Sequence, residues 1–253
     1  MDEILAVALQ SMQGDMARVE QIGMNLANAL TPGYKRGIAL QAPLGASFAS
    51  HLAGASAAAG APATGGMAPL MSFPSDSRAG TLKHTGQSLD LALAGQGYFE
   101  IATDNGPAYT RQGNFRVDAA GRLVTAQGHP VMGHAGEIVL ATPNPVVHPS
   151  GAIVGPGATE DAPLAQLKIV EFEAGAPAQR AGDGLVSANS GVSVLPAAQV
   201  QLRQGYLENA NVVSTQEMTH LIQAMRHFEA MQKMTQGYDD MLGTAIRKLG
   251  ETS

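Results

Sequence analysis

Apolar residues recur at steps of three and four at both ends of the chain, and at steps of two between about Gly80 and Pro196. From Ser214 to Leu249 a narrow stripe runs through Met218, Leu221, Met225, Phe228, Met231, Met234, Tyr238 and Met241, and Ile246 and Leu249 continue it after a slip. This predicts one long helix whose seam needs a partner helix. Its start is marked, because Ser214-Thr215-Gln216-Glu217 has the capping-box form and Val213 and Met218 stand where a hydrophobic staple closes. The successive steps of three at Phe228, Met231 and Met234 depart from a heptad and predict a locally overwound supercoil.

The N-terminal stretch Asp2 to Leu30 carries a matching seam at Leu5, Ala8, Met12, Val19, Ile22, Leu26 and Ala29, with the polar Asp15 out of character among them. Asp2 and Glu3 suit the positive end of a helix dipole. Pro32 forces Thr31 out of the helical region, so Thr31-Pro32-Gly33 ends the helix. Between the two helices the pattern changes twice. Alanine and glycine dominate Ala53 to Gly66, and we read residues 37–74 as a linker that orders only under some conditions. Beyond Gly80, Leu89, Leu91 and Leu93 alternate with Asp90 and Ala92, Tyr98 to Ala102 is rich in strand formers, and Asn105-Gly106 signals a turn. Phe115 and Val117, then Asp118-Ala119-Ala120-Gly121, then Leu123-Val124-Thr125 predict a hairpin in which Gly121 takes the positive φ. Further strands are predicted over 136–141, 152–154, 167–172, 185–187 and 192–195. The fold class is α+β: terminal helices pairing as a coiled-coil core, with an all-β domain inserted between them. The expected division is 1–36 and 200–253 helical, 37–74 linker and 75–199 β-rich.

Composition narrows the function. The 253 residues carry a net charge of −6 with 14% charged residues, which gives no basic field for nucleic acid. Apolar runs fall short of the roughly 20 residues that span a bilayer, and no basic, then apolar, signal stretch opens the chain. We therefore expect no direct membrane insertion. The absence of cysteine is compatible with an oxidising compartment.

Candidate chemistry is sparse. His129, His134 and His148, with Glu137 nearby, match no metal-ligand spacing and read as loop histidines. His220 and His227 lie seven apart on the C-terminal helix and read as polar contacts at a helix interface. Gly95-Gln96-Gly97 copies part of a dinucleotide fingerprint, but a strand follows it where the fingerprint needs a helix N-terminus. The adjacent Asp239 and Asp240 point about 100° apart on a helix and cannot flank one bond. No Gly-x-Ser-x-Gly elbow or phosphate loop occurs. The expectation is no catalytic residue, no metal and no cofactor.

Several blocks carry a resemblance. Asn25-Leu26-Ala27-Asn28 with Thr31-Pro32-Gly33-Tyr34-Lys35 resembles the N-terminal signature of the flagellar rod and hook family of axial proteins. Ser88-Leu89-Asp90-Leu91-Ala92, Gly95-Gln96-Gly97-Tyr98-Phe99, Tyr109-Thr110-Arg111, Gly113-Asn114-Phe115 and Gly121-Arg122-Leu123-Val124-Thr125 resemble its central β-domain. Gly205 to Val212 with Glu217-Met218 resembles the entry to its C-terminal helix. The chain length and the Arg226-His227-Phe228-Glu229 stretch are nearer the proximal-rod member than the distal-rod member.

The resemblance implies a structural subunit of the bacterial flagellar rod in the periplasm, exported by the flagellar type III apparatus. Its partners would be other rod proteins and copies of itself, met through the terminal helices, so that the rod transmits torque. The implied interface comprises Leu5, Met12, Val19, Ile22, Asn25, Leu26, Asn28, Tyr34 and Lys35 from the N-terminal side. From the C-terminal helix it comprises Met218, Leu221, Met225, Phe228, Met231, Met234 and Met241. Methionine side chains are soft enough to fit non-identical neighbours. Two readings of other classes compete: a secreted cell-wall or carbohydrate-binding β-domain on a helical stalk, and a periplasmic hydrolase. The first does not explain two seams, and the second lacks an acid/base pair.

Overall fold

The computed structural model describes residues 2–41, 71–72, 74–140, 142, 145–155, 163–173, 178–182, 184–188 and 191–250. The Ala/Gly-rich run lies outside the described residues. A helix stands at each end, α1 over Asp2–Ala27 and α2 over Ser214–Gly250, with a β-rich region between them. The fold class is α+β, as the two periodicities require. Two compact units result: Met1–Ala27, Gly37–Pro74 and Val213–Ser253 form the first, and Asn28–Arg36 and Ser75–Val212 form the second.

The second unit is built on a six-stranded antiparallel sheet in the order Ala178–Gly182, Leu185–Ala188, Gly106–Thr110, Tyr98–Thr103, Ile169–Phe172, Val192–Val194. Its central hairpin turns tightly at Asp104-Asn105, where Thr103 pairs with Gly106. Phe99, Ile101 and Ile169 are fully buried, and Leu91, Leu123 and Ile153 nearly so. Burying such side chains is worth about 1.5 to 3 kcal/mol each. The rings of Phe99 and Phe115 meet edge to face at 5.1 Å.

Short strand pairs flank the sheet. Arg116–Val117 pairs with Leu123–Val124 through the predicted turn, a connection of five residues, 118–122, one more than the four expected. Gly121 there has φ 81°, and the Asp118 carboxylate accepts hydrogen bonds from the N–H groups of Ala120 and Arg122. Leu40–Gln41 pairs with Met71–Ser72 inside the expected linker, and the strand Ala178–Gly182 was not foreseen either. Nor were two further pairs: Leu202–Gln204 with Leu91–Leu93, and Tyr206–Glu208 with Leu82–His84. They carry the residues just ahead of α2 into the β-rich unit.

In the first unit α1 and α2 run antiparallel: Asn25 meets Glu217 at one end and Asp15 meets His227 ten residues further along both helices. The stripe of buried and half-buried positions on α2 runs through Glu217, Leu221, Ala224, Phe228, Met231, Thr235 and Tyr238, with Ser214 and Gly243 half-buried beyond its ends. Those of α1 include Ala8, Met12, Asp15, Val19, Ile22 and Leu26. Both sets step four and three over these residues, and the stripe passes from Met231 to Thr235 where the sequence pattern marked Met234. Thr235 turns inward, and Met234 is 51% exposed. Asp15, out of character in the sequence, sits inside the stripe at 1% exposure. Among the described residues no helix is long and apolar enough to cross a membrane.

Candidate assembly site

The polar positions inside the helix stripe are partnered. Asp15 Oδ2 lies 2.5 Å from His227 Nδ1, and Arg18 Nη1 lies 3.9 Å from Asp15 Oδ1. A carboxylate in an apolar seam costs several kcal/mol unless a partner meets it there. Asn25 is buried and uses both ends of its amide. Nδ2 donates to the Gly37 carbonyl and to Glu217 Oε2, each at 3.0 Å, while Oδ1 accepts from Gly37 N–H at 2.9 Å and from Gln21 Nε2 at 3.0 Å. Aspartate could not donate in this arrangement and leucine could do neither.

The second unit holds a buried charge cluster. Lys35 Nζ donates to Glu208 Oε1 at 2.6 Å and to the Arg78 carbonyl at 2.8 Å. Arg111 Nη1 donates to Glu208 Oε2 at 3.2 Å and Nη2 to the Gly95 carbonyl at 2.9 Å, while Gly80 N–H reaches Glu208 Oε1 at 2.8 Å. Lys35 and Arg111 are each 6% exposed and Glu208 is 2% exposed. Burial pushes the Lys35 ammonium below its ordinary pKa, partly offset by the hydrogen bond from Lys35 to Glu208.

The turn after α1 is shaped to enter this cluster. Gly33 donates to the Glu208 carbonyl at 2.7 Å and has φ 69°, and a Cβ built on it would stand 2.4 Å from the Arg111 carbonyl carbon. Only glycine fits. Arg180 caps the same turn: its Nη1 donates to Tyr34 Oη at 2.8 Å, its Nη2 donates to the Lys35 carbonyl, and its guanidinium stacks 5.0 Å from the Tyr34 ring centre. Asn211 Oδ1 accepts from Arg36 N–H at 2.6 Å, and Nδ2 donates to the carbonyls of Asp76 and Arg78. Residues 33–36, 76–80, 111 and 206–211 are thereby tied into one network. Its carboxylate, Glu208, is committed to two cations and a backbone N–H, an arrangement that holds chain segments together.

Two further carboxylates make the second unit acid-sensitive. The Arg78 guanidinium holds Asp76 below the usual carboxylate range, and the N–H of Arg122, with its guanidinium, does the same for Asp118. A depressed folded-state pKa contributes stability that is present above the unfolded value and is lost as pH falls through the folded one. The urea midpoint of this unit is therefore expected to fall from pH 5 to pH 2.5, and Asp76→Asn should flatten that slope. An unchanged slope in Asp76→Asn would count against Asp76 as a source.

The residues singled out from sequence separate into three groups. Ile22 is buried in the helix stripe, and Met12, Val19, Leu26, Leu221, Phe228 and Met231 are half-buried along it; Leu5 lies within α1. Met218, Met225, Met234 and Met241 lie outside the stripe and are 51%, 52%, 51% and 60% exposed. Asn28, Tyr34 and Lys35 belong to the second unit, where Asn28 Oδ1 accepts from the Thr31 hydroxyl at 3.2 Å and the other two join the buried cluster. Sequence reasoning did not single out Asp15, Glu217, Arg111 or Glu208 as a site. The usable signal was a charge at a position whose neighbours at the same spacing are apolar, in a chain with only 14% charged residues.

The comparisons with known proteins bear on this arrangement. Residues 92–167 match the family described as flagellar hook protein FlgE/F/G D1 domain, and residues 203–248 match flagellar basal body rod FlgEFG protein C-terminal. The flagellar basal-body rod protein FlgG of Bacillus subtilis is 31% identical, across 92% of this chain and 94% of that one. The chain belongs to the flagellar basal-body rod proteins. Within this family, FlgF of Salmonella typhimurium is 31% identical across 98% of this chain and 99% of its own length. FlgF of Caulobacter vibrioides is 28% identical across 99% of both. The basal-body rod proteins are a structural family, and the C-terminal family match runs from the strand pair at Arg203 through most of α2.

Proposed function

We infer that the chain is a structural subunit of the flagellar basal-body rod, of the FlgF type, polymerising through its terminal helices. The observation that carries this reading is likeness over the full length to rod proteins. FlgF and FlgG relatives are alike in identity and coverage, and the choice of the proximal-rod member rests on the chain length and the Arg226-His227-Phe228-Glu229 stretch. The helices support the reading physically. Paired with each other, they still leave four methionines of α2 half or more exposed, and an exposed apolar row on a long helix wants cover.

On this reading α1 and α2 are a coiled-coil core and make the axial part; the expected bounds of 1–36 and 200–253 are too wide, because residues 28–36 and 200–212 belong to the β-rich unit. The second unit, residues 28–36 and 75–212, forms the outer domain. The stripe residues and the exposed methionines make the subunit interface. Other rod proteins and copies of this chain are the neighbours, the type III apparatus delivers the chain, and torque passes along the packed helices. A tagged chain should be found in purified basal bodies, and a strain lacking it should stop swimming until it is restored. Complete basal bodies and normal swimming without the chain would overturn the proposal.

A further inference from the structure

The phase of the exposed apolar residues sorts them onto two flanks of the helix pair. Met218 and Met225 come one residue after the inward positions Glu217 and Ala224, and Ile222 one after Leu221. On α1, Leu9 and Met16 come one residue after the inward Ala8 and Asp15, and are 51% and 63% exposed. An antiparallel pair places these equivalent positions of its two helices on the same side. On α2 this flank is apolar from Met218 through Ile222 to Met225 and turns polar at Glu229 and Gln232, and on α1 Met16 lies level with Met225.

The other flank consists of positions one residue before an inward one. Near the Asn25 end of the pair it is polar, with Arg18, Asn25, His220 and His227. Further along α2 the same flank turns apolar at Met234 and Met241. At about 100° per residue, positions just before and just after the inward stripe stand on opposite sides of it. Met218 with Met225, and Met234 with Met241, are each seven residues apart, or about 10.5 Å along the axis.

We propose that the Met218/Met225 flank of one copy docks on the Met234/Met241 flank of a second copy. This rests on the rod-subunit reading and adds the mode of contact. The occupant is a second copy because the chain carries both matched surfaces, equal in spacing and facing opposite ways. A contact between unlike surfaces does not use itself up: each copy keeps one free face of each kind, so the array grows as an open helix. A flank that met its own kind would close a dimer. The midpoints of the two methionine pairs are sixteen residues apart on α2, which sets neighbouring copies roughly 24 Å apart along the helix axis.

The chain has no cysteine, so introduced thiols report without background from it. Differently tagged Met225→Cys and Met241→Cys copies would be made together in cells that also make wild-type copies, and their basal bodies purified and mildly oxidised. The expected product is a mixed-tag disulfide dimer at least ten-fold above a control in which Lys233→Cys, on the outward face, replaces Met225→Cys. Met218→Cys with Met234→Cys is the second pair, in case one substitution is excluded from rods. Basal bodies that contain the chain but give no mixed linkage above control, or give mainly Met225–Met225 linkage, overturn this inference and leave the rod reading standing. Basal bodies that lack even the wild-type chain overturn the rod reading.

Discussion

Replacing Glu208 by glutamine is expected to cost the second unit about 3 to 5 kcal/mol, the scale for removing one partner from a buried ion pair. Glu208 is the carboxylate that meets both Lys35 and Arg111, and all three are almost wholly buried. Without it two cations stay in a poorly solvated site, and Gly80 N–H keeps only a neutral acceptor. Lys35→Met in the same background removes one of those cations and should recover part of the loss. Urea unfolding followed by far-UV circular dichroism reads both changes. A Glu208→Gln midpoint within 0.5 kcal/mol of wild type would mean that the cluster does not hold this unit together.

Replacing Met218 by aspartate is expected to abolish rod incorporation and swimming while leaving the second unit as stable as before. Met218 is half exposed on the free chain, so folding of that chain has little reason to oppose the change. Assembly does, because a carboxylate carried into an apolar contact costs several kcal/mol at each subunit, and the rod repeats the contact. Thr219→Asp, one residue on and also exposed, is the matched control and should incorporate normally. Phe228→Asp should fail as well, but through the helix pair itself, because Phe228 is half-buried in the stripe between α1 and α2. Normal swimming with Met218→Asp would remove Met218 from the interface.

The helices and most strands were legible because their periods are local. The three-and-four spacing of Leu5 to Leu26 and Leu221 to Tyr238 can be read without knowing what it packs on. The strands at Leu202–Gln204 and Tyr206–Glu208 were not legible: each is three residues long, and its partner lies more than a hundred residues earlier. The phase of the α2 stripe was also misread, for a physical reason. Apolarity marked Met218, Met225, Met234 and Met241, while three inward positions are Glu217, Thr235 and Ala224. Glu217 tolerates burial because Asn25 meets it, and Asp15 because His227 does. Those partners sit some two hundred residues away, beyond the reach of any local pattern. The same holds for the Lys35, Arg111 and Glu208 cluster, whose members looked like single charges in three unrelated motifs.

A reconstruction of the basal body at side-chain resolution tests the central claim most directly, because it shows what covers the exposed methionines of α2. The account predicts Met218, Met225, Met234 and Met241 buried against helices of neighbouring subunits, with the Lys35–Glu208 cluster intact inside each subunit. The same four side chains facing solvent, in a rod held together only through the β-rich units, would contradict it.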